Sequence, residues 1–348
     1  MTEKGMTDDG MTDELRRLVD DIGRRSLEQQ QGHALPVAFD ADLWRTLEET
    51  GLTRLTTAQG AGPTEAAIVL GGLARHAAAV PIAETDLLAA WLAAEAGLPV
   101  PADGPMTVAI ADAEPIGERL VGTAADVAWP ECSIVVLAVR TADATHVTVL
   151  DAENSEVSVS HNLAGEPRGQ IGFDVAAADT VRLPTDVYDE LVRRGAWCRS
   201  VQIVGALESA AELTATHTRE RIQFGRPLKA FQAVQHSLAG MLGEVERARA
   251  ATALAVAAAS DHGFDSDQAE FAVTVAKVAV GRAVGPVTTI AHQLHGAIGV
   301  TIEHRLWLAT MRARSWADEF GTAGHHARRL GRRALAAQDP WDLVVGGP

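Results

Sequence analysis

Arg221-Ile222-Gln223-Phe224-Gly225-Arg226-Pro227-Leu228-Lys229-Ala230-Phe231-Gln232 decides how the chain is read. The stretch lies between two long runs of helical periodicity. Before it, Ile203, Leu207, Ala210, Ala211 and Thr214 recur at the spacing of one helix face; after it, Phe231, Val234, Leu238, Met241, Leu242 and Val245 do the same. Gly225 and Pro227 break the backbone between the runs. Read alone, the stretch predicts a helix hairpin.

Working outward, helical period holds from Pro184 to Ala337, and a helical bundle over 186–338 is expected, followed by a loose tail over 339–348. N-terminal to it, the segment 103–185 changes character. Valine-rich runs alternate with turn residues at Met106–Ile110, Leu120–Val121, Ile134–Val139, His146–Leu150, Glu156–Ser160, Ile171–Val175 and Val181–Leu183. A small antiparallel β-barrel or sandwich fits these runs. The first segment, 1–102, again reads as helices: from Thr12 to about Gln30, Asp40 to Thr50 with Asp40 as N-cap, Thr64 to Ala79 and Glu84 to Ala96. The first ten or so residues carry no apolar period and are expected to be disordered. The fold class is therefore mainly α with a central β domain, in the order helices, strands, helices.

Composition narrows the function classes. The 348 residues carry a formal net charge of −16, with 4% aromatic residues. Excess negative charge disfavours a nucleic-acid partner, whose phosphates require a basic face. The two cysteines, Cys132 and Cys198, make neither a disulfide framework nor a cysteine metal site. The apolar region from Ala66 to Leu98 is interrupted by Arg75, His76, Pro81, Glu84 and Asp86, so it does not read as a membrane span. The acidic N-terminus is not a secretory signal, and a cytoplasmic location is expected.

A second unusual stretch is Gln293-Leu294-His295-Gly296-Ala297-Ile298-Gly299-Val300-Thr301. One reading is a glycine C-cap leading into a further helix at Thr301-Ile302-Glu303. The other is close approach of backbone N–H groups to a ligand phosphate. Taken together, Arg-x-x-Phe-Gly-x-Pro-Leu-x-x-Phe-Gln and the following Gln-Leu-His-Gly-x-Ile-Gly resemble the acyl-CoA dehydrogenase family in order, spacing and helical context. That resemblance implies an N-terminal helical domain, a β domain and a C-terminal four-helix bundle. It implies FAD bound at a subunit interface, with Arg221 and Phe224 meeting the ADP half of a neighbouring subunit's flavin. Gln232 matches the family's glutamine on the following helix, and Gln293 through Ala297, including Gly296, match its pyrophosphate-binding segment. Ala297 stands where a second glycine is usual.

The resemblance also shows what this chain lacks. The family oxidises an acyl-CoA thioester to the α,β-enoyl form, using a glutamate to take the α proton. The family's two places for that glutamate are occupied here by Gly195 and by Phe320, before Gly321-Thr322; neither is a carboxylate, and Glu319 and Asp318 are the neighbours of the second. The family's Thr-Glu-Pro and Gly-Ser-Asp loop over the flavin ring is reduced to Ala113-Glu114-Pro115, in a shortened β domain. One branch fits: the degenerate subunit type of heteromeric (α2β2) acyl-CoA dehydrogenases of actinobacterial steroid catabolism, which the ending Glu319-Phe320-Gly321-Thr322-Ala323-Gly324-His325-His326 also resembles. The implied partners are a catalytic dehydrogenase subunit, an acyl-CoA substrate and an electron acceptor for the flavin. A self-sufficient enzyme with Glu319 as displaced base, and a flavin-free scaffold on the same fold, are the two rival expectations.

Other chemistry-bearing residues read more plainly. His292, His295, His304, His325 and His326 have no carboxylate or cysteine at metal spacing, so packing or hydrogen bonding is expected of them. Arg312, Arg314, Arg328, Arg329, Arg332 and Arg333 read as a solvated face, with contact to a partner chain or CoA phosphates as the alternative. Trp197 and Trp316 are expected to be packing residues. No Gly-x-Ser-x-Gly elbow occurs for serine catalysis.

Overall fold

The computed structural model describes residues 3–29, 35–58, 60–132, 134–151 and 156–345. In chain order the elements are α1 (Glu3–Gln29), α2 (Ala41–Glu49), α3 (Pro63–Arg75), a π-helix (Ala83–Ala90) running into α4 (Trp91–Glu95), and seven strands. The strands are β1 (Met106–Asp112), β2 (Arg119–Ala128), β3 (Ile134–Arg140), β4 (Thr145–Asp151), β5 (Val157–His161), β6 (Pro167–Ala176) and β7 (Val181–Leu183). There follow α5 (Thr185–Glu220), a two-stranded hairpin of β8 (Ile222–Gln223) and β9 (Arg226–Pro227), α6 (Gln232–His262), α7 (Asp267–His295), α8 (Leu306–Trp316), α9 (Ala323–Ala336) and α10 (Pro340–Val345). The helices–strands–helices order is that expected from the sequence.

These elements form two compact units that cut across the three sequence segments. The first comprises 1–33, 62–78 and 196–348; the second comprises 34–61 and 79–195.

The first unit is a helical bundle. α5, α6, α7 and α8 enclose a core that includes Ile203, Leu207, Met241, Val245, Val280, Val287, Leu306 and Trp316, with Ala74 of α3 against it. Small residues bring helices close: a Cβ on Gly205 would collide with the Gly71 carbonyl, and one on Gly72 would lie 2.6 Å from Val19 Cγ1 on α1. α7 is apolar and long enough to cross a membrane by composition alone, but its Val280, Ala283, Val284, Val287 and Ala291 form this core. Trp197 and Trp316 are buried, as expected, and Trp197 Nε1 donates to the Ala255 carbonyl at 3.3 Å. Helix α1 begins at Glu3, so the disorder expected of the first ten or so residues is corrected from residue 3 onward, with residues 1–2 outside the described set; extending an existing helix costs far less than starting one. The tail is likewise helical over Pro340–Val345 rather than loose, with residues 346–348 outside the described set.

The arginine run is not one solvated face. Arg312 is buried, Arg314 donates to Thr288 Oγ1 at 2.6 Å, and Arg329 and Arg333 pair with Glu270 at 2.8 and 3.8 Å.

The second unit is a sandwich of a four-stranded sheet, β1-β3-β4-β7, and a three-stranded sheet, β2-β6-β5. Between them lie Ala109, Leu120, Ala124, Val127, Val135, Leu137, Val139, Ile171 and Phe173. The expectation of purely antiparallel sheets is corrected by β1 and β3, which pair in parallel. β2 crosses to the other sheet between them, so the chain returns in its original direction. β2 is also longer than the two residues expected. Its Gly122 lets the Phe173 ring approach to 2.8 Å of where a Cβ would sit, and a bulge between Ala124 and Val127 interrupts its alternation.

The expected α-helix over Glu84–Ala96 is instead the π-helix followed by one α-helical turn and a half. The wider turns bury every residue from Ala83 to Ala90. Its polar members are satisfied there. Thr85 exchanges two hydrogen bonds with the Met106 backbone at 2.9 and 3.0 Å, and Asp86 accepts from the Thr56 and Thr57 amides and the Thr57 hydroxyl. Asp40 caps α2 as expected, accepting from the Leu43 amide at 2.9 Å.

Candidate functional site

The joint between α5 and α6 is not a bare turn. Residues 222–227 form a β-hairpin in which Gln223 pairs with Arg226 and Ile222 with Pro227. Phe224 and Gly225 at its tip have φ of +52° and +77°. Two successive positive φ values are those of a type I′ turn, which matches the twist of paired strands. Glycine accepts this backbone freely; phenylalanine does so at a cost of about 1–2 kcal/mol. The strained residue is also 91% exposed. Nothing in folding favours an exposed, strained aromatic, so the position points to a ligand or partner. Phe231 packs edge-on to Phe224 at 6.2 Å, and the Arg226 guanidinium lies 4.1 Å from the Phe231 ring centre. Sequence reasoning placed Phe231 on the face of the following helix and gave Arg226 no role.

Arg221 stands at the root of this hairpin. Its amide donates to the His217 carbonyl at 2.8 Å and its carbonyl accepts from the Leu228 amide at 2.9 Å. Its side chain is exposed and has no carboxylate partner among the described residues. Gln232 is exposed on the first turn of α6.

The second motif lies at the end of α7. Gly296 has φ +66° and caps the helix, its amide donating to the His292 carbonyl. This is the expected C-cap, but the chain continues as a 3₁₀ turn over Gly296–Val300 and the next α-helix starts at Leu306, not Thr301. Gln293, Gly296 and Ala297 are all exposed, and a Cβ on Gly296 would meet nothing within 4 Å.

Histidines bring the two motifs together. The His217 ring, one turn before Arg221, stacks on His295 at 4.4 Å and 22°, and His304 meets His295 edge-on at 4.8 Å. His295 Nδ1 donates to the Ala291 carbonyl at 2.8 Å. Burial pushes His295 down to about 4, and it also lowers His217, His292 and His304. The rings are therefore neutral at pH 7. Among the described residues no three His, Cys, Asp or Glu side chains converge on a possible metal. The i, i+4 step from His217 to Arg221 was a legible sign that both share a helix face; the contact with His295 was not.

The loop after α8 carries the residues standing where the family's base is expected. Phe320 has φ +53° and Gly321 φ +100°. Glu319 Oε2 accepts from Arg199 Nε at 2.6 Å; the Arg199 side chain is 3% exposed and that of Glu319 20%. Arg199 also donates to Gln202 Oε1 at 2.6 Å. Buried Lys277 donates to the Ala317 and Glu319 carbonyls at 3.0 and 2.7 Å, and burial pushes it down to about 8. His326 Nε2 donates to the Phe320 carbonyl at 3.1 Å. The loop is thus tied down from three sides. Gly195 is buried inside α5, after Arg194, whose guanidinium lies over Trp91 at 4.1 Å. Glu114 is exposed in the loop after β1.

Residues 186–335 match the family model for the acyl-CoA dehydrogenase C-terminal domain. The ChsE4–ChsE5 complex from Mycobacterium tuberculosis has a chain 25% identical to this one, superposing with a TM-score of 0.80 over 94% of this chain and 97% of that one. Residues 186–335 thus form a domain of the acyl-CoA dehydrogenase C-terminal type. A Tcur3481–Tcur3483 steroid ACAD variant gives a TM-score of 0.82 at 25% identity, over 94% of this chain and 99% of that chain. Acyl-CoA dehydrogenase IpdE2 of Mycolicibacterium smegmatis is 28% identical over 320 residues, 88% of this chain and 90% of that protein.

FAD is the cofactor that the resemblance of the two motifs implies. The exposed residues suit its ADP half. An unpaired guanidinium at Arg221 suits a pyrophosphate, the open face of Phe224 suits an adenine, and the uncrowded backbone at Gly296 admits close approach.

Proposed function

We propose that this chain is the non-catalytic subunit of a heteromeric, FAD-dependent acyl-CoA dehydrogenase. In this reading Arg221, Phe224, Gln232, Gln293, Gly296 and Ala297 hold the ADP half of a flavin shared across the interface with a catalytic subunit. Bound flavin supplies the hydride acceptor for α,β-desaturation of an acyl-CoA. A steroid-derived acyl group is the substrate class supported by the steroid ACAD among its structural neighbours. The pairing of ChsE4 with ChsE5 supports a two-chain assembly, here α2β2. The proposal sets it in the cytoplasm, with a separate electron acceptor reoxidising the flavin.

One observation carries the reading: the only carboxylate beside Phe320 on its N-terminal side that sequence offered as a base, Glu319, is bound to a buried guanidinium. A general base needs a free lone pair directed at substrate. Arg199 Nε binds Glu319 Oε2 and fixes the orientation of the carboxylate, while Phe320 itself has no proton-accepting group. The same contacts speak against a self-sufficient enzyme built on Glu319.

The test is co-expression with a catalytic dehydrogenase subunit, followed by an absorbance spectrum and a native mass. The expected result is a colourless lone chain and a yellow complex with fewer flavins than protomers. A lone chain that binds stoichiometric FAD and oxidises acyl-CoA would sink the proposal.

A further inference from the structure

We infer that the stacked imidazoles of His217 and His295 are positioning residues that lock the Arg221–Phe224 hairpin to the Gly296–Ala297 turn, so the two stretches form and come apart together. In its bearing on flavin this rests on the function proposed above; as a statement about the fold it does not.

The geometry makes the stack a joint. His217 belongs to the last turn of α5, and its carbonyl receives the Arg221 amide that starts the hairpin. His295 belongs to the last turn of α7, one residue before Gly296. The two rings lie face to face, closed on a second side by His304. Hydrogen bonds fix the protons. His295 gives its Nδ1 proton to Ala291 O, leaving Nε2 as a bare acceptor that is buried with no partner. His304 accepts the Leu306 amide on Nδ1 at 3.1 Å, so its proton sits on Nε2. Thr310 Oγ1 donates to the Leu306 carbonyl, so His292 Nε2 is the donor to that hydroxyl.

An orphaned acceptor in a buried ring costs free energy. It persists here where the ring's packing, not its hydrogen bonding, is what the site requires. A proton on Nε2 would find no acceptor and would place a cation against a second imidazole. The charged neighbours do not compensate. Arg221 and Glu220 face the stack from α5, His292 from α7, His304 from the segment before α8, and Arg314 lies near His292. Glu220 is the single anion in that group.

The sign follows. All four imidazoles titrate below their ordinary 6.5 in the folded chain, His295 at about 4. Between these values the opened form binds more protons than the closed one. The joint is therefore intact above about pH 6.5 and weakens as pH falls toward about 4.

Hydrogen exchange on the full chain tests this at about pH 7.5 and about pH 5, with times scaled for intrinsic exchange. Amides of 221–231 and of 296–301 are expected to lose protection together at the lower pH, by roughly tenfold, while the centre of α6 keeps its protection. His295→Phe preserves a flat ring, removes the imidazole that burial lowers to about 4 and should hold both segments better than the wild type at the lower pH. His217→Ala should loosen both at either pH. Segments that respond independently, or a His295→Phe chain that loosens as the wild type does, would overturn the inference. Flavin fluorescence released from the two-subunit complex is followed over the same range. Coupled exchange in a complex that never holds flavin would uphold the joint and refute the FAD reading instead.

Discussion

Glu319 shows how a single side chain separates two functional readings. As a base it would be dispensable to folding; as the partner of buried Arg199 it is not. Removing one member of a buried pair withdraws compensation from the other charge, at a cost of up to about 3–5 kcal/mol. Arg199 is the more deeply buried of the two. Glu319→Gln should therefore destabilise by about 3 kcal/mol, and by more than Arg199→Met, which leaves a carboxylate that still reaches water. Urea denaturation of both variants checks the order. A Glu319→Gln protein of wild-type stability would remove the structural role. Lys277 offers a pH-dependent counterpart. Burial lowers it from 10.5 to about 8, so from about 8 to 10.5 the unfolded chain holds the extra proton. Stability relative to Lys277→Met should then rise with pH across that window, with a slope of at most about 1.4 kcal/mol per pH unit. Below about 8 the difference should be flat.

At the scale of elements, the hairpin between α5 and α6 separates stability from binding. Phe224 keeps a left-handed backbone that asparagine tolerates far better. Phe224→Asn should raise stability by about 1 kcal/mol while lowering flavin retention in the assembled complex by about tenfold through loss of the aromatic face. Thermal melts and a flavin-release titration on one preparation read both effects; a variant that loses stability and flavin in step would show Phe224 to be a folding residue. The hairpin also marks where reading the sequence runs out. β3 and β4 were legible because Val135, Val136, Val139, Val147 and Val149 are strand residues between clear turns. β2 was not, since Gly122, Ala124 and Ala125 around Thr123 carry little strand signal and Gly122 matters only opposite Phe173. The π-helix was hidden because its side-chain pattern is that of any buried helix, and the partners of its Thr85 and Asp86 lie far away in sequence. The site divided in the same way. Arg221, Phe224 and Gly296 were found as motif letters, whereas the His217–His295 stack exists only once two helix ends meet.

The whole molecule follows the order helices, strands, helices, yet its compact units do not. Residues 1–33 belong with the C-terminal bundle, although the β domain and half the chain lie between them. The contacts explain why. Val19 is fully buried and packs on Gly72 of α3, His76 Nε2 meets Asp20 at 2.7 Å, and Leu27 joins a cluster with Ala77, Trp307, Leu308 and Met311. Helix periodicity announced that α1 had an apolar face, but not which surface that face would cover. Deleting residues 1–29 should therefore act on the bundle rather than on the sandwich. It exposes Val19, Ile22 and Leu27 together with the surfaces beneath them, a loss of several kcal/mol at about 1.5–3 kcal/mol per large apolar side chain. Pulse proteolysis read by peptide mapping distinguishes the outcomes. Cleavage should rise within 196–345 and stay unchanged within 106–183. A rise in the strands with the bundle still protected would mean that the sandwich, not the bundle, depends on α1, and the division into units would have to be redrawn.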